Sequence, residues 1–473
     1  METATLWNSP LFMTLLSGLY VFTGESLLVA RSLSFFLALA SLVIFHRLTG
    51  LLTLDLRTRI FVATLLVFDL TFSRAANTAR MDALTFFFFL GALYCFALSY
   101  RARAHEQVGD GNRRSLAVGY ALMAGLCTGL AATSHPIAII LMPVALAFTL
   151  PRIKLLLAAI LGSLPPLGAW LVYIVSHWDV FLLQFGSQLG RKAGLLNFFS
   201  GETGGSLIVY ASQYGGTRPV MGAVLSLVAL VLLFGLRRSY LYLRPGNNAA
   251  FPERFFARLF LAFTGVFFLV LTSSEAWYAL YVGPFLLLLA LGLSRLPSGR
   301  LGPEKFALVG VAAFFLLSSA WFLYRMHARD AAVQTTRIFS ERVLQALERS
   351  RCRRVLLRVR PDPYFQIREH LPGVQALEFI PSRLQFKGAG FSPEQKYDPV
   401  DCFLLDENHA WAPELTRYLR ARESQFQKRV LPARKPLSRA TLWRRSPGEQ
   451  TEPARSKSRL KRLKFQRRNS ESK

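Results

Sequence analysis

The chain has 473 residues, 52% of them hydrophobic and 13% aromatic, with 39 Phe and a formal net charge of +28. That balance is too apolar for an ordinary water-soluble domain. The sequence has no CxxC, no HExxH, no His/Cys cluster of zinc-site spacing, and neither of the phosphate loops GxGxxG and GxxxxGK[ST], so nothing in it points to a nucleotide cofactor.

About ten apolar stretches approach the ~20 residues that cross a bilayer. They run at about 26–47, 57–75, 82–100, 115–132, 136–150, 154–176, 218–236, 257–273, 276–293 and 305–324. Those at 115–132 and 136–150 are short, and a pair of half-buried helices is the alternative there. No period-two pattern recurs, which predicts an all-α polytopic membrane bundle and not a barrel.

Lys and Arg in short loops are retained on the cytoplasmic side. The basic connections are His46 to Arg59, Arg101 to Arg114, Pro151 to Lys154, Arg237 to Arg258 and Arg295 to Lys305. Alternating spans put all five on one side. The other side then receives residues 1–25, the SRAANTARMD turn, Ser134-His135, the 177–217 loop, Ser273-Ser274-Glu275 and everything after Tyr324. A start on the outer side with no signal-like segment ahead of it carries the expectation of a further helix upstream of Met1.

The expected organisation is a membrane domain over 1–325, a soluble α/β domain on the outer face over 326–432, and a disordered basic tail over 433–473. In the second of these, Arg353–Val359, Val374–Phe379 and Cys402–Leu405 are β-rich runs, and the stretches near Val333–Arg349, Pro363–His370 and Pro413–Arg422 read as amphipathic helices. The tail ends KSRLKRLKFQRRNSESK and supplies a large share of the net charge. Tethered to a membrane protein and accompanied by no groove-reading motif, it suits anionic lipid headgroups or surface polysaccharide, and no nucleic acid is expected. Cys352 and Cys402 flank two predicted strands, where a disulfide is chemically feasible, while Cys95 and Cys127 lie in apolar windows as packing residues.

Chemistry, if present, is assembled from residues on the outer edge. Arg80-Met81-Asp82 opens an apolar run, and a carboxylate at a membrane boundary is costly unless paired or solvated. Asp82 is therefore the candidate catalytic residue, with a helix N-cap as the plainer reading. His135 precedes a helix-initiating proline: neutral, it caps that turn; protonated, it meets a phosphate. Glu275, Trp277, Tyr278 and Tyr281 make a third polar and aromatic edge, where an interfacial aromatic belt is the plainer account of Trp277 and Tyr281.

Taken in order, these segments resemble one family. SPLFMTLLSGLYVFTGESLLVARSLSFFLALASLVIFHRLTG is similar to the PPL, apolar, FG-S and ARL-S-L run of the GT-C superfamily of polytopic membrane glycosyltransferases, which includes protein O-mannosyltransferases and lipid A aminoarabinose transferases. RAANTARMDAL resembles their second outer loop, GLCTGLAATSHPIAIILMPVAL their GL-GLA-TK-P-LP segment with His135 where Lys is common, and SEAWYALYVGPFLLLLA their late YLLP-P-LALLA segment. The resemblance covers about residues 7–325.

The resemblance implies nucleotide-independent, inverting transfer of a sugar from a polyprenyl-phosphate donor to a lipid, glycan or protein acceptor on the outer side of the membrane. By it, Arg80 and His135 meet the donor phosphate, Tyr278 and Glu275 contact substrate, and Asp82 is the site carboxylate. A divalent metal suits this chemistry, but no ligand motif encodes one. The family's main catalytic Asp usually precedes an acidic-Lys-Pro-Pro-Leu motif; here that motif reads Trp7-Asn8-Ser9-Pro10-Leu11, without acid or Lys, and the Asp would fall upstream of Met1. The alternative from another class is a catalytically inactive membrane protein that binds or transports lipid-linked saccharide. The chain contains no Asn-x-Ser/Thr site, in keeping with a bacterial inner membrane.

Overall fold

The computed structural model describes residues 10–104, 111–150, 152–176, 178, 181–182, 218–243, 250–272, 276–295, 306–327, 330–359, 363–378, 397–406, 413–432 and 439–446. The chain forms two compact units, one ending at His327 and one beginning at Ala328.

The first unit is helical. Its helices are α1 (Pro10–Thr23), α2 (Leu27–Thr49), α3 (Leu56–Val67), α4 (Leu70–Asn77), α5 (Asp82–Ala104), α6 (Gly111–Ser134), α7 (Leu141–Thr149), α8 (Ile153–Val175), α9 (Arg218–Leu243), α10 (Phe251–Thr272), α11 (Gly283–Arg295) and α12 (Ala307–His327). Short 3-10 helices precede α7 (Pro136–Ile140) and α11 (Ala276–Tyr281). Every predicted apolar stretch falls on a helix. Among the described residues, five segments are long and apolar enough to cross a membrane, or six if the bent α3–α4 pair counts as one span. The chain is thus a multi-pass membrane protein by length and composition, but the ten spans expected from the sequence are not reached by this measure. The helical segments Pro136–Thr149 and Ala307–Trp321 are apolar but short.

Residues 10–23, placed by the sequence within an outer segment, form α1. Its residues PLFMTLLSGLYVFT have no internal breaker, and the helix stops where Gly24 takes a φ of 77°, a left-handed conformation open to glycine.

Contacts between helix ends gather the basic connections at one end of the bundle. Ser99 Oγ donates to the Ala117 carbonyl (2.7 Å), Arg258 Nη1 donates to the Ala147 carbonyl (3.0 Å), and Arg101 lies over the Phe251 ring. Arg295, at the end of α11, donates to Thr58 Oγ1 at the start of α3 and pairs with Asp55 (3.5 Å). Beside them Asp55 caps α3, accepting from the Arg57 and Thr58 amides, and the hydroxyl of Thr58 holds its carboxyl below the usual carboxylate range.

α6 and α8 run parallel and touch through backbone, because Gly125 and Gly129 of α6 and Gly162 of α8 leave no side chain between them. This is small-xxx-small packing, which a lipid environment favours in the absence of a hydrophobic force between helices.

The second unit is a three-layer α/β fold. Its sheet has strand order β2-β1-β3-β5-β4, made of β1 (Arg354–Arg358), β2 (Gln375–Glu378), β3 (Cys402–Asp406), β4 (Phe426–Leu431) and β5 (Ala440–Arg445). β1 pairs in parallel with β2 and β3, whereas β5 pairs antiparallel with β3 and β4. α13 (Asp330–Arg349) and α14 (Tyr364–His370) supply Phe339, Val343, Leu347 and Ile367 to one face, against Val355, Leu357, Cys402 and Leu404. α15 (Pro413–Ala421) covers the other with Leu415, Tyr418 and Leu419 against Leu356, Phe403 and Trp443. Strands β1 to β3 and helices α13 to α15 fall where the sequence predicted them. The sheet nevertheless runs past residue 432, where composition ended the domain: β5 buries Ala440, Thr441, Leu442 and Trp443. Cys352 and Cys402 form a disulfide with their Cα atoms 5.9 Å apart, and Cys95 and Cys127 are free thiols.

Candidate functional site

The site lies at the end of the bundle opposite the basic connections. α3 stops at Val67, and α4 leaves at a bend of 67°. Asp69 caps α4, its Oδ1 accepting from the Thr71 amide (2.8 Å) and hydroxyl (2.6 Å). From the end of α4, residues 78–81 deliver Arg80 to the start of α5. There Asp82, 6% exposed, accepts from Arg80 Nε at 3.0 Å. The first-turn amide and hydroxyl of Thr85 both go to the Met81 carbonyl (3.0 Å each), so the Asp82 carboxylate is held by a guanidinium and does not serve those donors. The two residues predicted as cation and carboxylate are thus a pair, with Asp82 buried and Arg80 about a third exposed.

His135 is 8% exposed with extended backbone, and its Nδ1 accepts from the Ile137 amide at 3.0 Å. That bond caps the 3-10 helix opened by Pro136 and fixes the ring in the tautomer protonated at Nε2. A doubly protonated ring would lose the cap, which leaves Nε2–H as the ring's donor position in this geometry. Its ring meets Tyr278 edge-on, with centroids 5.8 Å apart.

Tyr278, 4% exposed, and Tyr281, fully buried, belong to the 3-10 helix before α11. Tyr281 packs against Phe86 and, edge-on, against Phe89 (centroids 5.1 Å apart). Its hydroxyl has no hydrogen-bond partner and lies within electrostatic reach of Asp82, Tyr278 and Arg80. The aromatic-belt reading of Tyr281 is therefore corrected: a belt residue keeps its polar tip wet, whereas this one is enclosed beside the site carboxylate. Glu275 lies outside the described residues. Arg80, Asp82, His135 and Tyr278, contributed by three distant stretches, converge on one end of the bundle.

Sequence reasoning passed over one residue of the surroundings, Asp69, whose signal was a carboxylate inside an otherwise apolar window.

Among the described residues, no group of three His, Cys, Asp or Glu side chains converges as metal ligands. Asp82 already faces a guanidinium, so these residues do not fit a divalent metal.

No family model and no curated protein matches the chain. Two solved structures resemble it, both of ArnT from Cupriavidus metallidurans. The structure bound to undecaprenyl phosphate is 12% identical, with a TM-score of 0.45 over 95% of this chain and 89% of that one. The apo structure is 12% identical, with a TM-score of 0.48 over 93% and 87%. At this level the likeness alone assigns neither a family nor an activity.

Proposed function

We propose that this chain is a membrane glycosyltransferase of the GT-C kind, with up to ten membrane-crossing segments, that moves a sugar from a polyprenyl-phosphate donor to an acceptor on the outer side of a bacterial inner membrane. The observation that carries the reading is the convergence of a buried, guanidinium-paired carboxylate with a capped imidazole and a tyrosine at the end of the bundle away from the basic connections.

In this reading the acceptor hydroxyl hydrogen-bonds to Asp82, which Arg80 holds in place. The hydroxyl oxygen attacks the anomeric carbon and its proton passes to the carboxylate. The bond from that carbon to the phosphate oxygen breaks with its electron pair remaining on the phosphate, so configuration inverts. Arg80, His135 Nε2–H and the Tyr278 hydroxyl are the donors for the departing phosphate, in a low-dielectric setting where fixed donors are most effective. Glu275 is a further substrate contact in this reading. The soluble unit and the basic tail stand on the outer side, the tail contacting anionic lipids.

The test is sugar transfer by the protein in nanodiscs, with defined polyprenyl-phosphate sugars and a separate donor-binding measurement. Asp82→Asn should abolish transfer and keep donor binding, whereas Arg80→Ala should weaken donor binding. Binding without transfer by the unsubstituted protein would favour a silent lipid-saccharide binder. Equal donor affinity in a well-folded Arg80→Ala variant would return Arg80 to the role of a surface cation.

A further inference from the structure

Asp69 is a fully buried carboxylate that the mechanism above does not use. Its Oδ1 is committed to α4, but Oδ2 has no hydrogen-bond partner. What Oδ2 meets instead is Gly283, the first residue of α11: a β-carbon on that residue would stand 1.9 Å from Oδ2 and 3.1 Å from the Asp69 Cγ. Glycine is therefore required at 283 for as long as the carboxylate stays where it is. The carboxylate in turn lies at the starts of two helices, α4 and α11, whose positive ends favour its charge.

We propose that Asp69 is a positioning residue that fixes the Arg80–Asp82 loop relative to the 3-10 helix of Tyr278 and Tyr281, capping α4 with one oxygen and seating the other on Gly283. The role assigned to those site residues rests on the proposed function; the positioning itself does not.

The connectivity makes this a short lever. α4 runs from Asp69 directly into residues 78–82, and the 3-10 helix ends two residues before Gly283. One carboxylate thus sits at the root of two of the three segments that carry the site. The neighbouring contacts are apolar: Phe72 with Phe86 (centroids 5.6 Å apart) and Phe86 with Tyr281 (6.0 Å). Such ring contacts attract without fixing register. The bend itself is anchored from elsewhere, since Ser319 Oγ of α12 donates to the Phe68 carbonyl at 2.6 Å. A cap alone does not explain the residue. Ser, Thr or Asn caps a helix about as well without placing a carboxylate in an apolar interior, where an incompletely satisfied charge is costly.

The test is a distance between the two segments, read by spin labels at Asn77→Cys and Ala276→Cys with Cys95 and Cys127 replaced by Ala. Gly283→Ala should shift or broaden that distance by about 1–2 Å, and Asp69→Ala should broaden it as well. In the Asp69→Ala background, Gly283→Ala should add nothing, because the oxygen it collides with is gone. An unchanged distance in Asp69→Ala, or an equal effect of Gly283→Ala with and without Asp69, would overturn the proposal; if Gly283→Ala does not fold, Asp69→Ala alone decides. In the transfer assay, Asp69→Ala should lower kcat about 10- to 100-fold with KM for the donor little changed, as expected for misplaced reacting groups. Coupled distances with no transfer even in the unsubstituted protein would uphold the positioning and overturn the enzymatic reading.

Discussion

A β-carbon on Gly125 would stand 1.8 Å from the carbonyl oxygen of Ala159, so α6 and α8 meet backbone to backbone. The same closeness recurs where Gly162 faces the carbonyl of Leu122 at 2.0 Å. Gly125→Val should therefore push the helices apart and destabilise the protein by about 1–3 kcal/mol, the usual range for overpacking. Gly168→Ala, where a β-carbon meets nothing within 4 Å, is the control and should be neutral. Thermal unfolding in one detergent compares the two.

His135 separates two roles by substitution. His135→Ala removes the acceptor for the Ile137 amide and should cost about 1 kcal/mol. His135→Asn restores a capping oxygen but lacks the Nε2–H, so it should recover stability while donor-lipid affinity stays reduced. Recovery of both in the Asn variant would leave His135 as a cap alone.

Arg351 ends α13 with a φ of 49°, and the amides of Arg351 and Cys352 donate to the carbonyls of Glu348 (2.9 Å) and Leu347 (3.3 Å). This is the bonding pattern of a Schellman cap, in which glycine is the preferred left-handed residue. Arg351→Gly should stabilise the second unit by about 1 kcal/mol, measured as a higher unfolding midpoint. A lower midpoint would show that the arginine side chain does more for the domain than its backbone strain costs.

Tyr418 gives the second unit an alkaline limit. Burial first, and then donation of its hydroxyl to Asp398 (2.7 Å), push the phenol up to about 12. The folded state holds this proton more tightly than the unfolded chain, whose tyrosine titrates near ~10. The contribution is fully present below pH ~10 and is lost as pH rises toward 12. Tyr418→Phe should lower stability near neutrality by about 1 kcal/mol, the usual worth of a lost hydrogen bond, and should flatten its decline with pH across that window, as denaturant midpoints measured at several pH values would show.

The helices were legible because their apolar runs are long and unbroken, and β1, β2 and β3 because buried parallel strands read as short β-rich runs. β4 was hidden by its exposed Gln427, Lys428, Arg429 and Val430, and β5 by the Arg and Pro around it; both are recognised as strands only through their partners. In the site, local sequence identified the Arg80–Asp82 pair, since residues two apart at a helix start are already neighbours. It did not reveal that Asp69 needs a glycine 214 residues away. That relationship exists only once separate helices are packed. The GLCTG segment was read as a family signature, whereas its two glycines seat α6 on α8.

The bond between Cys352 and Cys402 makes maturation of the second unit a matter of cellular address. It joins the approach to β1 directly to β3 and encloses α14 and β2 in one covalent loop, and it closes only where thiols are oxidised. A ribosome delivers these cysteines after the helical unit, so the second unit completes its folding late. Production in a reducing cytoplasm or in a reduced cell-free extract would yield helices without a finished sheet, and a thiol-blocking step before purification would trap that immature form for isolation.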